Sequence, residues 1–167
     1  MSKNVTLSDM LRARESRTDK QQELLKKVTE GCVVSLTINM PGPIKANSIS
    51  EKVFKKGLEE LLKWPFNVVE NIIRQDLFTG PEAFFILKNK PDVVKRYTCN
   101  IEEKAAWTRL LDIDVIDKSG YPLAREDFGF QERTCIVCGE KGTFCASRRL
   151  HTLAELNKAV NKLAGTI

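Results

Sequence analysis

The run RLLDIDVID, Arg109 to Asp117, alternates apolar and acidic side chains with a period of two. Side chains alternate across a strand, so Leu111, Ile113 and Val115 face a core while Asp112 and Asp114 project together from the opposite face. Aspartate is depleted in strands, and a buried carboxylate is costly unless it is paired or metal-bound. The run therefore demands a sheet with a core on one side and a use for two carboxylates on the other.

The rest of the chain supplies the partners for such a strand. CVVSLTINM, Cys32 to Met40, is β-branched and follows Gly31, and it stops at Pro41-Gly42-Pro43, which cannot continue a ladder. NVVENIIRQDLF and AFFILK flank Thr79 to Glu82 and form two antiparallel strands. The segment VVKRYTCNIEE fits strand or helix, and the strand reading over Tyr97 to Ile101 is taken here. Helices are expected from Thr6 to Val28, from Ser48 to Trp64 behind a Ser48/Glu51 capping box, and before Gly165 behind a Thr152/Glu155 box. The apolar stripe of the first is Leu7, Met10, Leu11, Leu24, Leu25 and Val28. Cys32 and Cys99 are read as core residues on strands. The expected fold is a single α+β domain over residues 1–167, with a mixed or mostly antiparallel sheet.

At 167 residues the chain can bury a core without staples, and 42% hydrophobic with 29% charged residues is ordinary for a soluble globular protein. No apolar run reaches a membrane span, and MSKNVTLSDMLRARESR lacks the apolar region of a signal peptide, so a cytoplasmic protein is expected. The net charge is +5, and from Arg133 to Ile167 six Lys/Arg face two Asp/Glu. That suits a phosphate-rich partner, or only a solvated surface. A nucleic-acid module lacks interleaved aromatics and any familiar signature, so no nucleic acid is expected. His151 is the single histidine, which excludes sites with two or three imidazole ligands.

Two carboxylates at i and i+2 can hold Mg²⁺ or Mn²⁺ on a phosphate substrate, or do nothing beyond facing solvent. Cys135-x2-Cys138-x6-Cys145-x5-His151 admits three readings: structural zinc, a redox pair, or reduced packing thiols. Arg14 and Arg17 share a helical face with Gln21 and can bind phosphate or pair with Glu15 and Asp19. Lys45 is either a phosphate ligand or a loop lysine.

In order along the chain, LRARESRTDKQ, PGPIK, GPE at Gly80 to Glu82, RLLDIDV and RTCIVC…CA…H together resemble the holo-citrate lyase synthase family, the apo-citrate lyase phosphoribosyl-dephospho-CoA transferases. The malonate decarboxylase enzyme of the same chemistry is a more distant likeness. The resemblance implies transfer of 2′-(5″-triphosphoribosyl)-3′-dephospho-CoA to a serine of the citrate lyase acyl carrier (gamma) subunit, releasing pyrophosphate as a nucleotidyltransferase does. It implies Asp112 and Asp114 as catalytic ligands of a divalent cation with Arg109 beside them, and Arg14, Arg17, Lys45 and Glu82 as substrate contacts. A nucleotidyltransferase-like fold is an analogy only, since no Gly-Ser element precedes the aspartates. Ala105-Ala106-Trp107-Thr108 stands where the family pattern runs close to His-Pro-x-Gly. A second expectation follows from that departure: a member that binds carrier or precursor with weakened transfer.

Overall fold

A computed structural model describes residues 3–167. Four antiparallel strands form one sheet in the order β2-β3-β1-β4, with β1 Cys32–Ile38, β2 Val68–Arg74, β3 Glu82–Leu87 and β4 Leu111–Ile116. Helices α2 (Ser48–Leu61), α3 (Pro91–Glu103) and α5 (Leu153–Ala164) cover one face, and a short α4 (Gly142–Arg148) precedes α5. Val34, Leu36, Phe85, Ile113 and Val115 point into that layer and meet Phe54, Leu61, Val94 and Val160. Helix α1 (Leu7–Leu25) lies on the other face, where Leu24 and Val28 pack on Val33, Phe84 and Ile86. The architecture is the expected α+β fold.

Period-two patterning explains the strands, and the local signals explain most of the helices. Thr6 caps α1 through a box with Asp9, and Thr152 caps α5 through the expected box with Glu155. The cap of α2 is Asn47 with Ser50, one residue before the expected Ser48, because the Asn47 carboxamide oxygen accepts from both Ile49 and Ser50 N–H. Leu7 and Leu11 are exposed, so only the C-terminal half of the α1 stripe is core. One element differs in kind: VVKRYTCNIEE is helix α3. Pro91 opens it at the first turn, where a missing N–H is harmless. Its apolar positions Val94 and Ile101 lie seven residues apart, two turns of a helix, and both face the core. Cys99 is buried as expected, but on this helix.

The α1 face of the sheet grades from polar to apolar. Across the strands one row reads Arg74, Glu82, Thr37, Asp112 and the next reads Ile72, Phe84, Ser35, Asp114. A third row, Glu70, Ile86, Val33, Ile116, leads to the apolar contact with α1. The outer rim of β4 is occupied: Glu102 Oε1 accepts from Ile113 N–H at 3.0 Å, and Leu123 N–H donates to Val115 O at 2.8 Å.

Candidate active site at the polar end of the sheet

The sequence blocks separated along the chain converge on the polar end of the sheet. β1 leaves it through Pro41-Gly42-Pro43, and Gly80 of the β2–β3 turn lies against Lys45 in the following loop. Gly80 has φ +104°, a backbone that disfavours any side chain there. Val5 N–H donates to Pro43 O and ties the start of α1 to the same loop.

On this end Asp112 is exposed and Asp114 half-buried, both on the face opposite the main core. Thr37 Oγ1 stands 3.5 Å from Asp112 Oδ2. Burial, and then the neighbouring Asp112 charge, push the Asp114 carboxyl above the usual carboxylate range. A divalent cation between the two would relieve that repulsion, and an all-oxygen donor set of this kind suits Mg²⁺ or Mn²⁺.

The charges of Lys95, Arg133 and Arg17 act on Asp114. Arg17 reaches down from α1 to Glu82 at 3.1 Å, and Arg74 reaches the same carboxylate at 3.1 Å from β2. Glu82 is thus a buried clamp for two arginines. Gln21, one turn beyond Arg17, donates to Ser35 Oγ at 2.9 Å and seats the helix over the aspartate row. Arg14 is exposed, and Lys45 donates to Met40 O. Burial and the nearby Arg14 charge lower the Lys45 pKa, as expected where cations gather without an anion between them.

Three residues that the sequence reading did not pick complete the site. Lys95 of α3 is only 5% exposed, and its charge acts on Asp114. Among the described residues it makes no ion pair. Glu102, two turns on along the same helix face, is also 5% exposed and ion-paired with Arg133. Burial raises the Glu102 carboxyl above its usual range, against the opposing pull of Arg133. Arg133 in turn stands 3.8 Å from Asp112 Oδ1. The seven-residue spacing of Lys95 and Glu102 is the signal a helical reading of the segment provides.

Arg109 comes two residues before β4, in the element that leads into the aspartate strand. It lies in the 3₁₀ turn Trp107–Leu110 and donates to Thr134 O and Thr134 Oγ1, both at 2.7 Å. Trp107 and Thr108 are buried, and Thr108 Oγ1 bonds Ala105 O at 2.7 Å, so the Ala105–Thr108 segment is internal framework. Arg109, Arg125, Arg133 and Arg149 line a cleft of about 1320 Å³ whose apolar wall includes Leu153 and Leu156. Arg133 belongs to both the cleft and the aspartate site.

Cys135, Cys138, Cys145 and His151 come together, their ligand atoms all within 4.8 Å of one another, and all but Cys138 line the cleft. This is a donor set that could hold a metal ion. Burial opposes ionisation of Cys135, yet the backbone N–H groups of Cys138 and Val137 hold its pKa down to about 7.

The two-carboxylate face thus has Arg17, Lys95 and Arg133 beside it and shares Arg133 with an arginine-lined cleft, an arrangement suited to phosphate-bearing anions. The model of the family described as apo-citrate lyase phosphoribosyl-dephospho-CoA transferase matches residues 5–166, and the chain belongs to that family. It is 35% identical to a protein named CitXG of Haemophilus influenzae, over 96% of this chain and 35% of the relative. It is 30% identical to a probable apo-citrate lyase phosphoribosyl-dephospho-CoA transferase of Vibrio cholerae, over 96% of this chain and 92% of that protein. A Streptococcus pyogenes protein of the same description is 32% identical, over 95% and 85% respectively. The chain thus spans about a third of the Haemophilus relative and nearly all of the Vibrio one. No helix among the described residues is long and apolar enough to cross a membrane.

Proposed function

We propose that the chain transfers 2′-(5″-triphosphoribosyl)-3′-dephospho-CoA to a serine of the acyl carrier subunit of citrate lyase. The observation that carries this reading is the same-face pair Asp112 and Asp114 among Arg17, Lys95 and Arg133. Family membership supplies the substrate class. The serine Oγ forms a bond to the phosphorus next to the ribose as that phosphorus loses its bond to the second phosphate. Pyrophosphate leaves with the electron pair, and the serine proton passes to a carboxylate of the site.

Asp112 and Asp114 would hold Mg²⁺ or Mn²⁺, which supplies neutralisation of triphosphate charge when bound. Lys95 and Arg133 extend the positive surface on the side of α3, and Arg14, Arg17 and Lys45 on the side of α1. Glu82 acts through Arg17 and Arg74, fixing their guanidinium groups. Arg109 contributes to the cleft wall, which takes the larger part of the substrate. The protein works in the cytoplasm on a protein carrier and a small molecule, with neither nucleic acid nor membrane as partner.

The test is mass spectrometry of apo carrier subunit incubated with the protein, the precursor and Mg²⁺. A mass gain equal to the prosthetic group is expected, with one pyrophosphate released per carrier. Asp112→Asn and Asp114→Asn should each abolish the gain with circular dichroism unchanged. Full transfer by the double variant would remove the metal role, and carrier association without any mass gain would leave only a binding protein.

A further inference from the structure

The segment from Asp117 to Ala159 has almost no core of its own: Cys135 and Cys145 are its only buried residues. Yet this stretch forms a cleft wall and carries Arg133 to within 3.8 Å of Asp112. Beyond the partly buried Leu123 and Ile136 it has little apolar packing on the core, so a staple is needed to offset its ordering entropy. Its two buried residues are both thiols, and they lie beside Cys138 and His151.

We propose that Cys135, Cys138, Cys145 and His151 bind one structural zinc ion, and that this ion is the staple that holds the cleft wall and Arg133 in place. Three sulfur atoms and one imidazole make a closed tetrahedral set with no position left for substrate. Cys138 Sγ and Cys145 Sγ are 3.5 Å apart, far beyond a disulfide bond and close to the roughly 3.8 Å edge of a tetrahedron with Zn–S bonds of about 2.3 Å. His151 Nε2 is buried and has no hydrogen-bond partner among the described residues. An orphaned buried nitrogen on an imidazole that lies beside three thiols is costly in a merely packed cluster, and a metal ion held by that ring would satisfy it.

The backbone around the cluster is shaped for the same purpose. Val137 N–H donates to Cys135 Sγ at 3.4 Å, a bond that steadies a ligating thiolate. Cys135 N–H donates to Glu140 O at 2.6 Å, Thr134 and Lys141 form an isolated antiparallel bridge, and Gly139 turns the knuckle with φ +81°. The knuckle is then fastened to the body of the protein by residues next to the first ligand. Thr134 receives Arg109, and Arg133 pairs with Glu102 of α3. Metal occupancy therefore reaches the aspartates across one intervening residue, from Cys135 past Thr134 to Arg133. This reading does not depend on the transfer reaction.

The experiment uses the full chain purified under reducing conditions. Elemental analysis should give about one zinc per chain, and cobalt replacement should yield thiolate-to-cobalt charge-transfer bands with tetrahedral visible bands. Cys138→Ser, at an exposed position, should lose the zinc while keeping the helical circular dichroism of the sheet-packed core. Trypsin should then cut at Lys141, Arg148 and Arg149 in the variant and in chelator-stripped protein, while zinc-loaded protein resists. Zinc-free wild-type protein that fails to take up Zn²⁺ or Co²⁺, or whose three cluster thiols are recovered as a Cys138–Cys145 disulfide and free Cys135, overturns the site. Trypsin resistance that is indifferent to zinc removal overturns the stapling role even if the ion binds.

Discussion

Glu102 joins α3, the knuckle and the aspartate strand, so its replacement separates their contributions. Glu102→Ala removes the acceptor of the Ile113 N–H, and an orphaned buried donor costs about 1–3 kcal/mol. It also strips Arg133 of its nearer carboxylate, leaving Asp112 at 3.8 Å. That side chain is 32% exposed and partly solvated, so the loss adds only about 1 kcal/mol. The sum is about 3 kcal/mol. With a urea m value of about 2 kcal/mol/M, the midpoint should fall by about 1.5 M at constant m. Glu102→Gln keeps an oxygen for Ile113, loses the charge facing Arg133 and escapes the cost of burying that charge, so it should stay within about 1 kcal/mol of the parent. The pH dependence has a definite sign. The folded carboxyl lies above the ordinary glutamate value, so its contribution is complete below about pH 4.3 and is lost as pH rises through the folded pKa. The Gln variant should therefore gain on the parent as pH is raised from 4 to 7. Hydrogen exchange at the Ile113 amide should accelerate in the Ala variant alone. Equal midpoints for Ala and Gln would refute the role of the Ile113 bond.

Other outcomes are equally direct. Asp114→Asn should raise thermal stability slightly while abolishing transfer, because it removes a carboxylate that burial and Asp112 disfavour; a lowered melting temperature would contradict this. Lys95→Met should cut transfer by ten-fold or more without destabilising the fold, since the lysine is buried without an ion-pair partner among the described residues, as measured by single-turnover mass spectrometry and thermal melts. Gly57→Ala should lower stability by about 1 kcal/mol despite better helix propensity. The added Cβ would sit 2.6 Å from Leu111 Cδ2, and Leu111 is fully buried just before Asp112; a higher melting temperature would show that Leu111 can yield.

The strands were readable because their patterning is local. Alternation in Leu111 to Val115 predicted which side the aspartates take, and the turn around Gly80 predicted the β2–β3 pairing. Helix α3 escaped because Val93, Val94, Tyr97 and Thr98 are residues that favour strands, and tertiary packing overrides that preference. The price of that error was functional: Lys95 and Glu102 acquire a shared face only on a helix. Arg133 was out of reach for a different reason. Twenty-one positions separate it from Asp112, and only the folding of the knuckle onto α3 closes the distance. The bond from Arg109 to Thr134 spans 25 residues and was out of reach for the same reason as Arg133.

The placement of the aspartates on β4 has a consequence for the solution behaviour of the protein. β4 is a rim strand, and a rim with free amides invites strand addition by another copy. Here Glu102 occupies the Ile113 amide and Leu123 the Val115 carbonyl, so the rim beside the aspartates offers little for an incoming strand to pair with. The opposite rim, β2, is guarded by other means: a register shift between Val68 and Glu70 and the Lys27–Glu70 ion pair. The contact that positions Arg133 is thus also a guard against self-association, and loss of Glu102 should show as aggregation before it shows as unfolding.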